Sequence, residues 1–263
     1  MTDQGGLCRL DTVDSVAVIT LASPSNRNAL GTTLTTQLRD HLAGAATDPS
    51  IRVVVVQAEG SVFSSGWDLG LSREDGLHVD TLLVELLDSV VTMPKAVVAK
   101  VGGHAIGGAL ALVAACDLSV VSRQASFGFG EVRLGLAPTT AAVHCVPKMR
   151  ASDARWALLT GERFDADRAV AMGLVNVAVD HDQLDDAVDQ LVATLLLGAP
   201  RALGACKVLA RSITAPDDAA SALAAHYNDL LVGSDEAIEG VAAFTERRRP
   251  SWAPADDGPV RRA

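Results

Sequence analysis

An α/β core followed by a run of helices is the fold class this sequence predicts, and three observations carry it. Apolar, β-branched runs alternate with segments of helical period through the first half. Gly-bearing connections follow two of those runs. Beyond Pro147 nearly every segment is rich in Ala and Leu with helical spacing, and one strand-like interruption at 174–179 lies among them.

The elements follow in order. VAVITL at 16–21 and VVVVQ at 53–57 read as strands on either side of a helix over 33–45. Helical spacing resumes over 78–91 and stops before Pro94, because a proline pushes the residue ahead of it out of the helical region. AVVAKV at 96–101 reads as a buried strand, GALALVAA at 108–115 as a short buried helix and LSVV at 118–121 as a further strand. Later helices are expected over 153–159, 165–171, 184–197, 201–211, 219–232 and 235–246. No tandem repeat or low-complexity linker interrupts them, and the residues after Trp252 read as a frayed tail.

With 263 residues the chain can bury one large domain, or one domain and a small appendage. Hydrophobic residues make up 49% and aromatics only 3%, so the core must be built from Ala, Val and Leu at close spacing. The 22 basic and 32 acidic residues leave a net charge of -10, which opposes non-specific attraction to nucleic acid or anionic lipid. A polyanionic ligand would need a local positive pocket or helix N-termini. Cys8, Cys116, Cys145 and Cys206 lie far apart with no metal-ligand spacing, and read as reduced structural thiols. The N-terminus lacks the basic and apolar regions of a secretion signal, and no apolar run reaches membrane-spanning length. A cytoplasmic protein without nucleic-acid or membrane partners is expected.

Three segments bear on chemistry. FSSGWDL at 63–69 follows a strand, where α/β proteins expose main chain to ligands, although an ordinary strand-to-loop turn has the same look. GGHAIGGALAL at 102–112 joins a strand to a helix, and its glycines permit close backbone approach to the unpaired amides of a helix start. Its spacing is neither the dinucleotide fingerprint nor a Walker loop. FGFGEVRLGLAP at 127–138 sets Glu131 among apolar residues and glycines, which favours a neutral carboxyl suited to proton transfer. Taken alone, Glu131 reads more readily as a surface or salt-bridged residue, with Arg133 an obvious neighbour.

In this order and at these separations the three segments resemble the crotonase family, also called the enoyl-CoA hydratase/isomerase family. PSNRNAL at 24–30, LLTGERFDADRAVAMGLVNVAV at 158–179 and EGVAAFTERRRPSW at 239–252 are similar to further family segments, so the likeness runs over about 16–252. It implies the crotonase fold, a spiral of ββα units forming two nearly perpendicular sheets with a helical C-terminal trimerisation region. The core would span 1–195, and the helical region and tail 196–263. A homotrimer or a hexamer is implied, with an acyl-CoA thioester as substrate, CoA entering as part of it, and no metal or other cofactor.

The resemblance also assigns residues. The oxyanion hole falls on the backbone amides of Trp67 and Gly108, and the second catalytic carboxylate on Glu131. Arg27, Ala29 and Leu30 fall beside the CoA moiety, with Ser65, Trp67, Asp68, Leu69 and Gly108 also in contact with the ligand. Ala111 stands where the family's first carboxylate would be, which weakens hydration relative to isomerisation. Thr139 stands where dienoyl-type isomerases carry an Asp, and APTTAA at 137–142 departs from the usual Pro-Gly-Ala-Gly-Gly run. A silent acyl-CoA-binding protein and a different thioester enolate reaction are the alternatives. Structural roles are expected for His104 and His144, and Ser64 and Ser65 lack a nucleophile elbow. The basic run at 247–249 reads as a solvated helix end, or as a contact to CoA phosphates in family terms.

Overall fold

The computed structural model describes residues 6–68, 70–71, 73–213 and 218–254. A repeating unit of two strands and a helix organises the first half. The first unit is β1 (Cys8–Val13), β2 (Val16–Leu21) and α1 (Thr32–Thr47); the second is β3 (Val53–Ala58), β4 (Val62–Ser64) and α2 (Arg73–Thr92). The third is β5 (Ala96–Val101), β6 (His104–Ile106) and α3 (Gly108–Ala115). The fourth is β7 (Leu118–Ser122), β8 (Ser126–Gly128) and, after a 3-10 turn over Gly130–Leu134, α4 (Thr139–Cys145). Then come α5 (Ala151–Thr160), β9 (Phe164–Asp165), α6 (Ala166–Ala171), β10 (Val177–Val179), α7 (Leu184–Leu196), α8 (Pro200–Ser212), α9 (Asp218–Leu231) and α10 (Asp235–Glu246).

The long apolar strands and the short ones go to different sheets. The six-stranded sheet runs β1-β2-β3-β5-β7-β10 and is parallel except for the β1–β2 hairpin; the four-stranded sheet runs β4-β6-β8-β9. Each of the second to fourth units thus leaves one strand in each sheet, which makes the chain a spiral. Strands β4, β6 and β8 have three residues each and include Ser, His or Gly, so no alternation marks them in the sequence. The strand expected over 174–179 shortens to Val177–Val179. Gly173, at φ 86, ends α6, and the Leu174 and Val175 amides return to the Ala169 carbonyl, so both residues finish the helix cap.

The large sheet is covered on both faces. Leu34, Leu38 and Leu42 of α1 and Leu86, Leu87 and Val90 of α2 share one buried cluster with all of Ala109–Ala115 in α3. On the other face Leu184, Val188, Val192 and Leu196 of α7, spaced every four residues, pack on Val16, Val53, Val55, Val98 and Val120. Each such burial contributes roughly 1.5–3 kcal/mol relative to exposure. Lys207 of α8, 6% exposed, pairs with Asp117 at 2.8 Å and donates to the Val90 carbonyl, tying the C-terminal helices to this core. On α10, by contrast, Ile238, Val241 and Phe244 form an exposed apolar stripe, with Phe244 86% exposed. Among the described residues no single helix is long and apolar enough to cross a membrane.

Candidate active site

The first piece of the site is the main chain at 66–68. Trp67 forms a parallel bridge with Leu30: the Leu30 amide donates to the Gly66 carbonyl at 2.8 Å, and the Asp68 amide to the Leu30 carbonyl at 3.4 Å. That register turns the Trp67 amide to the opposite edge, where it has no acceptor among the described residues. Gly66 sits at φ 82, and a Cβ there would collide with the Ile106 carbonyl and lie 3.2 Å from the Gly108 nitrogen. Ser64 is fully buried and its Oγ accepts from the Gly66 amide at 3.1 Å, so this hydroxyl holds the loop.

The second piece is the start of α3. Gly107, at φ 56, donates its amide to the Gly128 carbonyl at 3.0 Å and turns the chain into the helix. Gly108 is the first helical residue, and its amide has no acceptor among the described residues, as helix geometry requires of a first turn. A Cβ on Gly108 would lie 3.9 Å from the Trp67 nitrogen and 3.6 Å from Cδ1 of Leu30. Two main-chain donors without partners therefore stand side by side, one backed by the positive end of a helix.

Glu131 is the third piece. It lies on the 3-10 turn, and its carboxylate rests on Gly107: a Cβ there would collide with Oε1 and lie 3.1 Å from the carboxyl carbon. Oε2 is buried and has no hydrogen-bond partner among the described residues. Burial raises the pKa of this carboxyl above the ordinary carboxylate range, opposed by its own backbone amide. The alternative partner, Arg133, instead donates to the Thr160 carbonyl, with Nη2 at 3.2 Å, and lines a cavity of about 480 Å³ with Ile106, Gly128, Gly130, Gly161 and Arg163.

Ala111 is 0% exposed, and every neighbour on α3 from Ala109 to Ala115 is an apolar residue in the core. The position to which the resemblance assigns a first carboxylate is thus filled by apolar packing.

The expected CoA-side residues divide between surface and support. Arg27, at φ 60, is exposed, and its carbonyl accepts from the Ser65 amide at 3.0 Å, so Arg27 and Ser65 lie together. Ala29 and Leu30 are buried, and Leu30 packs beneath the Gly108 helix start with both main-chain polar groups in the bridge to 66–68. Asp68 accepts from the Gly70 amide at 3.0 Å; Leu69 lies outside the described residues. A residue that the sequence reading passed over is Asn28. Fully buried at φ 51, it donates to the Glu59 and Val62 carbonyls and accepts from the Ser23 amide, staking the loop to the strand entering the site. Its signal was present in PSNRNAL, since Asn tolerates left-handed backbone and carries both donor and acceptor.

His104 accepts from the Ser126 amide at 3.0 Å through Nδ1, which makes it a strap between β6 and β8. His144 is held below the usual histidine pKa by burial and by Arg211. The four cysteines are free, three of them buried. Among the described residues no group of three or more His, Cys, Asp or Glu is placed to hold a metal ion.

Comparison with known proteins gives the same family from three directions. The model of the family described as enoyl-CoA hydratase/isomerase matches residues 11–255. A carnitinyl-CoA dehydratase of Escherichia coli (strain K12) is 32% identical over 250 residues, covering 90% of this chain and 95% of that protein. The crystal structure of an enoyl-CoA hydratase from Mycobacterium smegmatis superposes with a TM-score of 0.88 at 32% identity, over 94% of this chain and 98% of that one. An enoyl-CoA hydratase/isomerase from Marinobacter aquaeolei gives a TM-score of 0.87 at 28% identity, over 94% and 99%.

Proposed function

This chain belongs to the enoyl-CoA hydratase/isomerase family, and from that premise we propose that it shifts protons beside the carbonyl of an acyl-CoA thioester, with Glu131 as the single proton carrier. The thioester oxygen accepts from the Trp67 and Gly108 amides. Glu131, as carboxylate, takes a proton from the carbon next to the carbonyl, and the electron pair moves onto that oxygen as an enolate. Returning the proton two carbons further along moves a 3,4 double bond to the 2,3 position. Each preorganised donor is worth about 10²–10³ in rate, because charge develops on the oxygen only as the transition state is approached.

The observation that carries this reading is the Glu131 carboxylate resting on Gly107, next to the Gly108 amide, with Oε2 buried and unpaired. A raised pKa brings a carboxylate closer to the strength a base needs near neutral pH. Water addition in this family typically draws on a second carboxylate, and the buried Ala111 supplies none, which weakens hydration relative to isomerisation. Hydration or its reverse is the second reading, favoured by relatives named carnitinyl-CoA dehydratase and enoyl-CoA hydratase.

Incubation of the protein with 3-enoyl-CoA and 2-enoyl-CoA in heavy water, followed by mass spectrometry, separates these readings. Isomerisation converts the first into the second and exchanges deuterium; hydration adds the mass of water. Saturable binding with neither change would leave a silent binder and overturn both. The exposed stripe Ile238, Val241 and Phe244 supports self-association as a trimer or hexamer, and a stable monomer at micromolar concentration in sedimentation would refute it.

A further inference from the structure

Helix α2 carries a glycine at its fourth residue, Gly76, where Ala would favour the helix. The tertiary structure supplies the reason. A Cβ on Gly76 would collide with Cζ2 of Trp67 and lie 3.2 Å from Cη2 and 3.3 Å from Cε2, so the indole lies against bare helix backbone. Trp67 is nevertheless 39% exposed, which leaves the rest of its ring open.

The same helix face makes two more contacts. One turn on, Asp80 accepts from Oγ1 of Thr140 at 2.8 Å, and Thr140 belongs to α4, the helix that follows the Glu131 turn. Leu83, next on that face, brings Cδ2 within 3.4 Å of the Cβ position of Gly108. Residues 76, 80 and 83 are spaced i, i+4 and i+7, hence on one stripe. That stripe touches the residue bearing one oxyanion amide, the residue bearing the other, and the element following the carboxylate.

We propose that this stripe of α2 is the template that sets the spacing of the oxyanion donors, with Gly76 and Asp80 as positioning residues and the Trp67 indole seated on the stripe. The inference rests on the acyl-CoA reading above and names the part that fixes its geometry. Displacing the indole drags the 67 amide with it, and an error near 1 Å at such a donor costs about 10²-fold in rate.

The test is a double-mutant cycle on Gly76→Ala and Trp67→Leu. Gly76→Ala should lower kcat/KM on 3-enoyl-CoA by about tenfold or more with the melting temperature little changed. In the Trp67→Leu background the same change should cost less than about twofold, because the collision is gone. Equal effects in both backgrounds, or none in either, would overturn the proposal. Asp80→Leu should also slow turnover and Asp80→Asn restore it, since the amide oxygen still accepts from Thr140; equal losses would count against Asp80. Two readouts need no turnover. The part of the intrinsic fluorescence absent from Trp67→Leu should move to the red in Gly76→Ala as the indole enters water, and an unchanged spectrum would refute the seating. Titration with acetoacetyl-CoA, followed by the near-ultraviolet absorbance of its enolate, separates the two levels. If the wild type neither binds nor polarises it, the acyl-CoA reading fails; if the wild type does and Gly76→Ala matches it, only the template fails.

Discussion

Two short segments reach the same spot in opposite ways. Helix α3 is buried from Ala109 to Ala115, carries no polar side chain, and contributes an amide. The turn at 130–134 has no fully buried residue and contributes a carboxylate. The difference teaches that the two halves of this site have different robustness. In the proposed mechanism the donor belongs to the backbone and survives any side chain the helix can pack, whereas the proposed proton carrier is one replaceable group. Exchange of one residue, Ala111 for a carboxylate, would be a large chemical change on a helix whose packing tolerates almost none.

The largest expected effect breaks the turn's half. Glu131→Gln should lower turnover by about 10²–10⁴-fold, the range for a lost acid/base group, while acyl-CoA affinity measured by calorimetry stays close to wild type because shape is kept. Unchanged turnover would reject Glu131 as the carrier. Gly107→Ala strikes the seam between the halves. Its methyl would collide with Oε1 of Glu131 at a backbone φ of 56, and a loss of about 10²-fold is expected with the fold retained by circular dichroism.

Ala111→Glu sharpens the α3 side. A carboxyl side chain forced into a site with no exposed surface should lower the melting temperature markedly, since even a neutral polar group buried without a partner costs roughly 2–7 kcal/mol. No water-addition product should appear; a gain of hydration would show that the helix had room and lacked only the side chain. The smallest effect is one of pH. Burial raises the folded pKa of Glu131, so the folded state holds a proton that the unfolded state has released between the ordinary carboxylate range and the raised value. Its stabilising contribution is present below that ordinary range and is lost as pH rises through the raised value. Glu131→Gln removes the dependence, so its stability relative to wild type should grow from acid to neutral pH in denaturant melts. A constant difference would mean that the carboxyl is not desolvated.

Much of the scaffold was legible. Val16–Leu21, Ala96–Val101, Gly108–Ala115 and Asp235–Glu246 fold over the residues expected, because continuous apolar runs and helical spacing are local signals. The strands β4, β6 and β8 were not, since three residues cannot display a period. For the site, the motifs marked 63–69, 102–112 and 127–138. Nothing local said that Arg133 would turn to Thr160 and leave Oε2 of Glu131 without a partner, or that Asn28 would be buried.

By itself the sequence determined the alternation of apolar runs and helices, the glycines at 66, 107 and 108, and the single carboxylate at 131, each being a property of a residue and its near neighbours. Only the tertiary structure decided that the amides of 67 and 108 stand together, that Gly107 lies under Glu131, and that Gly76 receives an indole. Those contacts join residues distant in sequence, and their worth depends on burial and direction, which the chain acquires only when the spiral closes.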